Sequence, residues 1–349
     1  MAFDASLMSI STLSQLLRQS NSDFLCYDLG RRVQPISATE FAAIENQQAP
    51  YPYPVQGHAC IALVFWPQLS DAGVEPFLWF LKFPVDERGL LEQSTVQEFI
   101  TSVITLLGQQ VTHALIEEQE QQLQQSPYLF TPAEEKRAAL HARLSRRWQR
   151  PPSVHFELAQ TALADPEHWQ QVGVQGLHDV AARLADDTST ISAISQQFTR
   201  YPEPLRQALA IALEHQPIPA ELANQLARQL QQQPAAELRA DLLRSLAGAT
   251  REAEVSKAIE HVLEDASADE CVICCARLWS AFDPLCTPHV PLLPLLRALA
   301  RQPATIFAAL VTDLLRIPTL RPHVLVTLQR DDLPAGVREA WHNFIGGAR

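Results

Sequence analysis

The sequence predicts a chain that is mainly α overall: an α+β N-terminal domain followed by an all-α helical-repeat (solenoid) domain. Three observations carry this. Strand-like apolar runs are confined to roughly the first hundred residues, and amphipathic helices follow one another beyond about residue 153. Within those helices apolar positions recur at steps of 33, 33, 35 and 31 residues. With 349 residues, 47% of them hydrophobic and 19% charged, the chain is long enough for two domains and apolar enough to bury their cores.

Residues 1–107 read as the α+β domain. Ser11–Arg18 carries Leu13, Leu16 and Leu17 on one face, with hydroxyl residues ahead as caps. Phe24–Leu29 and Arg32–Ile36 flank Gly30, expected to supply the positive φ of a tight hairpin. Ala38–Asn46 reads as a helix, and Pro50, Pro52 and Pro54 then hold the backbone extended. His58–Trp66 and Glu75–Phe83 are rich in β-branched and aromatic residues and read as adjacent strands, joined by a loop with Asp71 and Gly73. Thr95–Leu107 closes the domain as a helix, with Val96, Phe99, Ile100, Val103 and Leu107 on one side. In the second strand Phe77, Trp79 and Leu81 face one way and Leu78, Phe80 and Lys82 the other. Cover on both faces, the second by the first repeat, is favoured over an exposed apolar face.

Residues 108–152 read as a helical connector, glutamine-rich at first and then basic. Between residues 131 and 150 six basic residues stand against two acidic ones, whereas residues 1–130 hold five basic and fourteen acidic. A solvated helix offsetting an acidic neighbour is the plainer reading. A patch of Arg137, Arg143, Arg146 and Arg147 for an acidic partner or nucleic acid is the sharper one.

Residues 153–349 carry the repeat. One column reads Leu205, Leu238, Cys271, Ile306, Val337; the next Leu209, Leu242, Cys275, Leu310, Trp341; the third Leu213, Leu246, Trp279, Leu314, Ile345. Alternate helices give Leu222, Val255, Leu292, Val324 and Leu226, Ile259, Leu296, Leu328. A two-helix unit of this length cannot bury both faces alone, and stacking neighbours bury them. Leu205–Leu209 and Val337–Trp341, with an arginine after the leading apolar residue, resemble the first helix of HEAT-type repeats. The pattern departs at Cys271-Val272 and Ile306-Phe307, where that arginine is missing. The resemblance implies a curved stack of helix pairs. The whole chain, with its proline–tyrosine segment, also resembles an uncharacterised proteobacterial family with no known activity.

Cys271, Cys274, Cys275, Cys286 and His289 imitate zinc-ligand spacing, but Cys271 and Cys275 occupy columns that the repeat assigns to the buried seam. No metal or cofactor is expected. Asp28, His58 and Asp86 fall at strand ends or loops and read as turn or cap residues. The formal charge of −12 disfavours nucleic acid, and the longest apolar run, Ala59–Trp66, is too short to cross a membrane. No leader pattern precedes Arg18, the first basic residue, so a cytoplasmic protein is expected. The leading functional expectation is a non-catalytic scaffold or adaptor that binds another protein through its repeat surface. Arg206, Arg228, Arg239, Arg244, Arg277, Arg297 and Arg301 are expected to be exposed there. An enzyme with a site in the first domain or a solenoid groove, and a nucleic-acid binder using the helix at 136–150, are the alternatives.

Overall fold

The computed structural model describes residues 10–69, 74–108, 111–112 and 117–347. Two compact units divide the chain, Met1–Pro132 and Ala133–Arg349, so the boundary falls inside the stretch 108–152. The loop residues Asp71 and Gly73 lie outside the described residues.

The first unit is a four-stranded antiparallel sheet with helices on one face. Its strands are β1 (Ser22–Asp28), β2 (Gln34–Ile36), β3 (His58–Pro67) and β4 (Phe77–Pro84), in the order β2-β1-β3-β4. Register pairs Cys26 with Ile36, Phe24 with Phe65, and Leu63 with Trp79. The helices α1 (Leu13–Gln19), α2 (Ala38–Glu45) and α3 (Gln93–Leu107) contribute Leu16, Phe41, Phe99 and Val103 to the same core as Ile61, Leu63, Trp79 and Leu81. The Trp79 ring lies 4.6 Å from Phe65 and 5.6 Å from Phe99. Burial of each such side chain contributes about 1.5–3 kcal/mol. Thr12 caps α1, and Glu45 reaches back from α2 to accept from the backbone of Leu13 and Ser14 and from the Ser14 hydroxyl. Burial pushes the Glu45 carboxyl up, and these donors hold it back.

One detail differs from expectation. Gly30 does not use a positive φ; it sits in a crowded place, where a Cβ would meet the Asp28 carboxylate at 3.1 Å and Val55 at 3.1 Å and would make them shift. The outer edge of β4 is covered in part by its own unit. Lys82 N–H donates to the Tyr128 carbonyl at 2.8 Å and Phe130 N–H to the Phe80 carbonyl at 3.0 Å, so Leu129 lies antiparallel to Leu81. Phe130 also packs edge-on against Phe80, 6.5 Å between centroids. Leu78, on the same face of β4 as Phe80, is 43% exposed. A short helix, α4 (Glu117–Gln124), contributes Leu123 to the core.

The second unit is helical throughout its described residues. One series comprises α5 (Glu134–Arg147), α7 (Val174–Arg183), α9 (Glu203–Glu214), α11 (Ala236–Ser245), α13 (Ala268–Ala276), α15 (Ala304–Arg316) and α17 (Ala335–Gly347). The other comprises α6 (Phe156–Ala164), α8 (Thr188–Gln197), α10 (Ala220–Gln232), α12 (Ala253–Leu263), α14 (Leu292–Ala300) and α16 (Arg321–Leu328). Within each series every helix packs on the next, from α5 to α17 and from α6 to α16. Second neighbours in the chain are therefore first neighbours in space, as a stacked ladder requires.

The apolar columns supply the contacts. Leu209, Leu242, Cys275, Leu213, Leu246 and Leu314 are fully buried, as are Leu222, Val255, Leu226, Ile259 and Leu296 on the alternate helices. In α15 the buried face is turned by one residue: Phe307 and Val311 are buried, while the expected Ile306 and Leu310 are only half-buried. The larger Phe307 ring takes the interior position. At the last helix, α17, the columns run out into solvent, with Val337 buried, Trp341 half-buried and Ile345 44% exposed.

Candidate functional site

The repeat arginines build a polar seam in which Arg206 and Arg239 turn inward, where exposure was expected. Arg206, 7% exposed, sends its Nε to Asp241 on α11 at 2.7 Å and an Nη to the Tyr201 carbonyl at 3.2 Å. Arg239 makes the same move one repeat later, gripping Glu270 of α13 with two bonds, at 2.7 and 3.0 Å, and Asp265 with a third at 2.9 Å. Glu270 is fully buried and also closes the capping box with Ser267 that starts α13. The leading arginine of one repeat thus binds a carboxylate of the following one. A long, planar guanidinium suits this because it forms paired hydrogen bonds while its stem packs among apolar groups. Burial raises the Asp241 carboxyl above its ordinary range, against the pull of Arg206.

A second cluster gathers at the end of α9. Glu214, 1% exposed, accepts from Arg244 of α11 and pairs with Arg277 beyond α13 at 3.3 Å. Arg244 and Arg277 keep 29% and 25% of their side chains in solvent, forming a cationic rim over a buried carboxylate. His215 follows directly, its Nε2 3.4 Å from Glu214. Arg143 of α5 donates to the His215 carbonyl, and the His178 ring of α7 stacks on the His215 ring at 6.0 Å. Gly248 is required here by close approach, since a Cβ would stand 1.8 Å from the Gln216 carbonyl oxygen. Burial lowers the His178 imidazole to about 4, so it is neutral near pH 7. Side chains of α5, α7, α9 and α11 and of Arg277, just past α13, meet at this cluster. Chemically it offers paired guanidinium donors to an incoming carboxylate or phosphate.

The arginines of the basic stretch at 136–150 have different surroundings. Arg143 turns inward to His215, Arg146 pairs with Asp186, and Arg137 and Arg147 are exposed. Arg228, Arg297 and Arg301 are exposed as expected, although Arg301 also donates to the Leu263 carbonyl at 2.8 Å. Cys271, Cys274 and Cys275 are buried in the seam, and burial pushes the Cys271 thiol up to about 11 and the Cys274 thiol higher still. Cys286 and His289 lie on the loop beyond α13, and among the described residues no three His, Cys, Asp or Glu side chains gather as metal ligands.

In the first unit, Asp28 is a buried turn clamp that accepts from the Tyr51 hydroxyl at 2.6 Å and from Gly30 N–H at 2.9 Å. Asp86 closes its loop through Arg88 and Leu90 N–H, and His58 Nδ1 meets the Gln56 carbonyl. The buried partners Asp241, Glu270 and Glu214 were not singled out from sequence. A signal did exist: Arg206 and Asp241, Arg239 and Glu270, and Glu214 and Arg244 are opposite charges about one repeat apart. Among the described residues no helix is long and apolar enough to cross a membrane.

No curated protein and no solved structure matches the chain. A family described as "Protein of unknown function (DUF3549)" matches residues 8–344, nearly the whole length, and the chain belongs to that family.

Proposed function

We propose that the chain is a cytoplasmic scaffold or adaptor whose HEAT-like helical unit presents an extended surface to another protein. The single observation that carries this reading is the unbroken second-neighbour packing from α5 to α17. Such a stack buries its apolar columns between neighbours and grows in surface with every added pair, which suits docking of a peptide or domain. The cationic rim of Arg244 and Arg277, with exposed Arg137, Arg147, Arg228 and Arg297, supplies donors for partner carboxylates. Inward-turned Arg206 and Arg239 serve to hold the stack in register. For nucleic acid, inward-turned Arg143 and paired Arg146 leave the helix at 136–150 with less available charge.

The test is affinity purification of the full-length chain from its own cells, beside Arg137→Glu/Arg147→Glu and Arg228→Glu/Arg297→Glu. These positions are exposed, so melting temperature is expected to stay within about 2 °C of the parent. A stoichiometric protein partner that is lost with one of these pairs supports the reading. Recovery of the same proteins with parent and both variants overturns it.

A further inference from the structure

Among the described residues the edge of β4 is only half closed, and the cause is legible in the chain. Lys82 and Phe80 turn backbone groups away from β3 and bond to Tyr128 and Phe130. Residues two apart on a strand present their backbone groups to the same side, so the N–H and C=O of Leu78 also point outward. Leu81 lies opposite Leu129, and that register sets Leu78 opposite Pro132. Proline has no N–H to donate, so the covering segment cannot close the ladder at Leu78. Beside this open stretch lies a groove of about 580 Å³, walled by Leu78, Phe80, Leu123, Phe130, Gln124 and Glu120. Leu69 and Val74, which bracket the loop between β3 and β4, are also exposed, at 100% and 42%. Lysine is a common guard on exposed edges; here Lys82 stands on the covered part and none stands at Leu78.

We propose that this edge is a second docking site, independent of the helical unit, which takes a short extended segment of a partner protein by strand addition at Leu78. The segment alternates apolar and basic residues. Its backbone bonds the Leu78 N–H and C=O, its apolar side chains enter the groove beside Phe80 and Leu123, and a lysine or arginine meets Glu120. Charge complementarity selects the sign. Glu120 is the charged residue of the groove wall, and α4, which carries it, holds Glu117, Glu118 and Glu120 with no basic residue. The chain supplies its own precedent, since Tyr128–Phe130 already lies on this edge with an aromatic ring against Phe80.

The experiment titrates the full-length chain with a fluorescein-labelled six-residue peptide alternating valine and lysine. Its counterparts are a valine–glutamate peptide and the lysine peptide with alternate amides N-methylated. The lysine peptide is expected to saturate at micromolar concentration, with both counterparts at least about tenfold weaker. Leu78→Lys and Glu120→Lys are each expected to weaken it at least about tenfold, whereas Arg228→Glu leaves it unchanged. Bound peptide is expected to slow amide hydrogen exchange at Leu78. Binding that tolerates N-methylation is general attraction to an acidic surface and overturns the proposal, as does no saturation by millimolar peptide. Slowed exchange at Leu78 that follows protein concentration without peptide assigns the edge to a second copy of the chain and overturns it too. None of these results bears on the helical surface, which Arg137, Arg147, Arg228 and Arg297 test separately.

Discussion

Removing the Glu214 carboxylate measures what the seam contributes. Glu214 is 1% exposed and engages Arg244 from α11 and Arg277 beyond α13. Deleting one partner of a fully buried ion pair costs about 3–5 kcal/mol, because the remaining charge is left without compensation. Here both guanidinium groups keep a quarter or more of their surface in water, so part of that penalty is relieved by solvation. The expected cost of Glu214→Ala is therefore about 2–3 kcal/mol. For a unit of this size, 1 kcal/mol corresponds to about 2–4 °C, so the melting temperature is expected to fall by roughly 5–10 °C. Urea titration followed by far-ultraviolet circular dichroism gives the free energy directly. In an Arg244→Ala background the same deletion is expected to cost about 1–2 kcal/mol less. A change below about 0.5 kcal/mol, or strict additivity of the two substitutions, would refute the view that this cluster ties neighbouring repeats together.

Four further outcomes are expected. His178 has its imidazole lowered to about 4 by burial, so between about pH 6.5 and 4 the unfolded chain binds a proton that the folded one refuses. Stability is expected to fall on acidification across that window by up to about 3 kcal/mol, and His178→Phe, melted at each pH, removes that part of the slope. Gly248→Ala drives a Cβ into the Gln216 carbonyl and is expected to cost more than about 2 kcal/mol, whereas at Gly336, with nothing within 4 Å, alanine is expected to cost nothing by the same melts. A thiol-reactive dye is expected to label half-buried Cys60 and Cys286 in the native protein, and Cys26, Cys271, Cys274 and Cys275 only in denaturant, as read by mass spectrometry. Tyr51→Phe deletes the hydroxyl held 2.6 Å from the buried Asp28 carboxylate and is expected to destabilise the first unit by about 1.5–3 kcal/mol in denaturant titration.

The repeat was legible because its signal is periodic. Leu205, Leu238 and Cys271 announce a shared face through spacing alone, and Leu209, Leu242 and Cys275 are buried as that spacing demands. The turn of one residue at α15 was not legible, because Ile306 and Phe307 are both large and apolar and only packing chooses between them. Arginine placement was misread for a physical reason. A guanidinium on a helix surface is ordinarily solvated, and only a carboxylate fixed one repeat away turns Arg206 and Arg239 inward. Gly30 shows the converse: its residue type marked a constraint, but the constraint was crowding by Asp28 and Val55, not backbone angle. The partial cover over β4 needed tertiary register, since nothing local in Tyr128–Phe130 distinguishes a strand from a loop.

Arg206–Asp241, Arg239–Glu270, Arg244–Glu214 and Arg277–Glu214 tie α9, α11 and the α13 segment together by carboxylate–guanidinium bonds. Beyond α13 the apolar columns thin, from fully buried Leu314 on α15 to Ile345 on α17, 44% exposed. Tension applied at the C-terminus would then meet unequal resistance. The last pairs would peel away first and gradually, and the unzipping would stall on reaching α13, where charged rivets must yield together. A pulling trace on the full chain should therefore show a soft ramp followed by a distinct plateau.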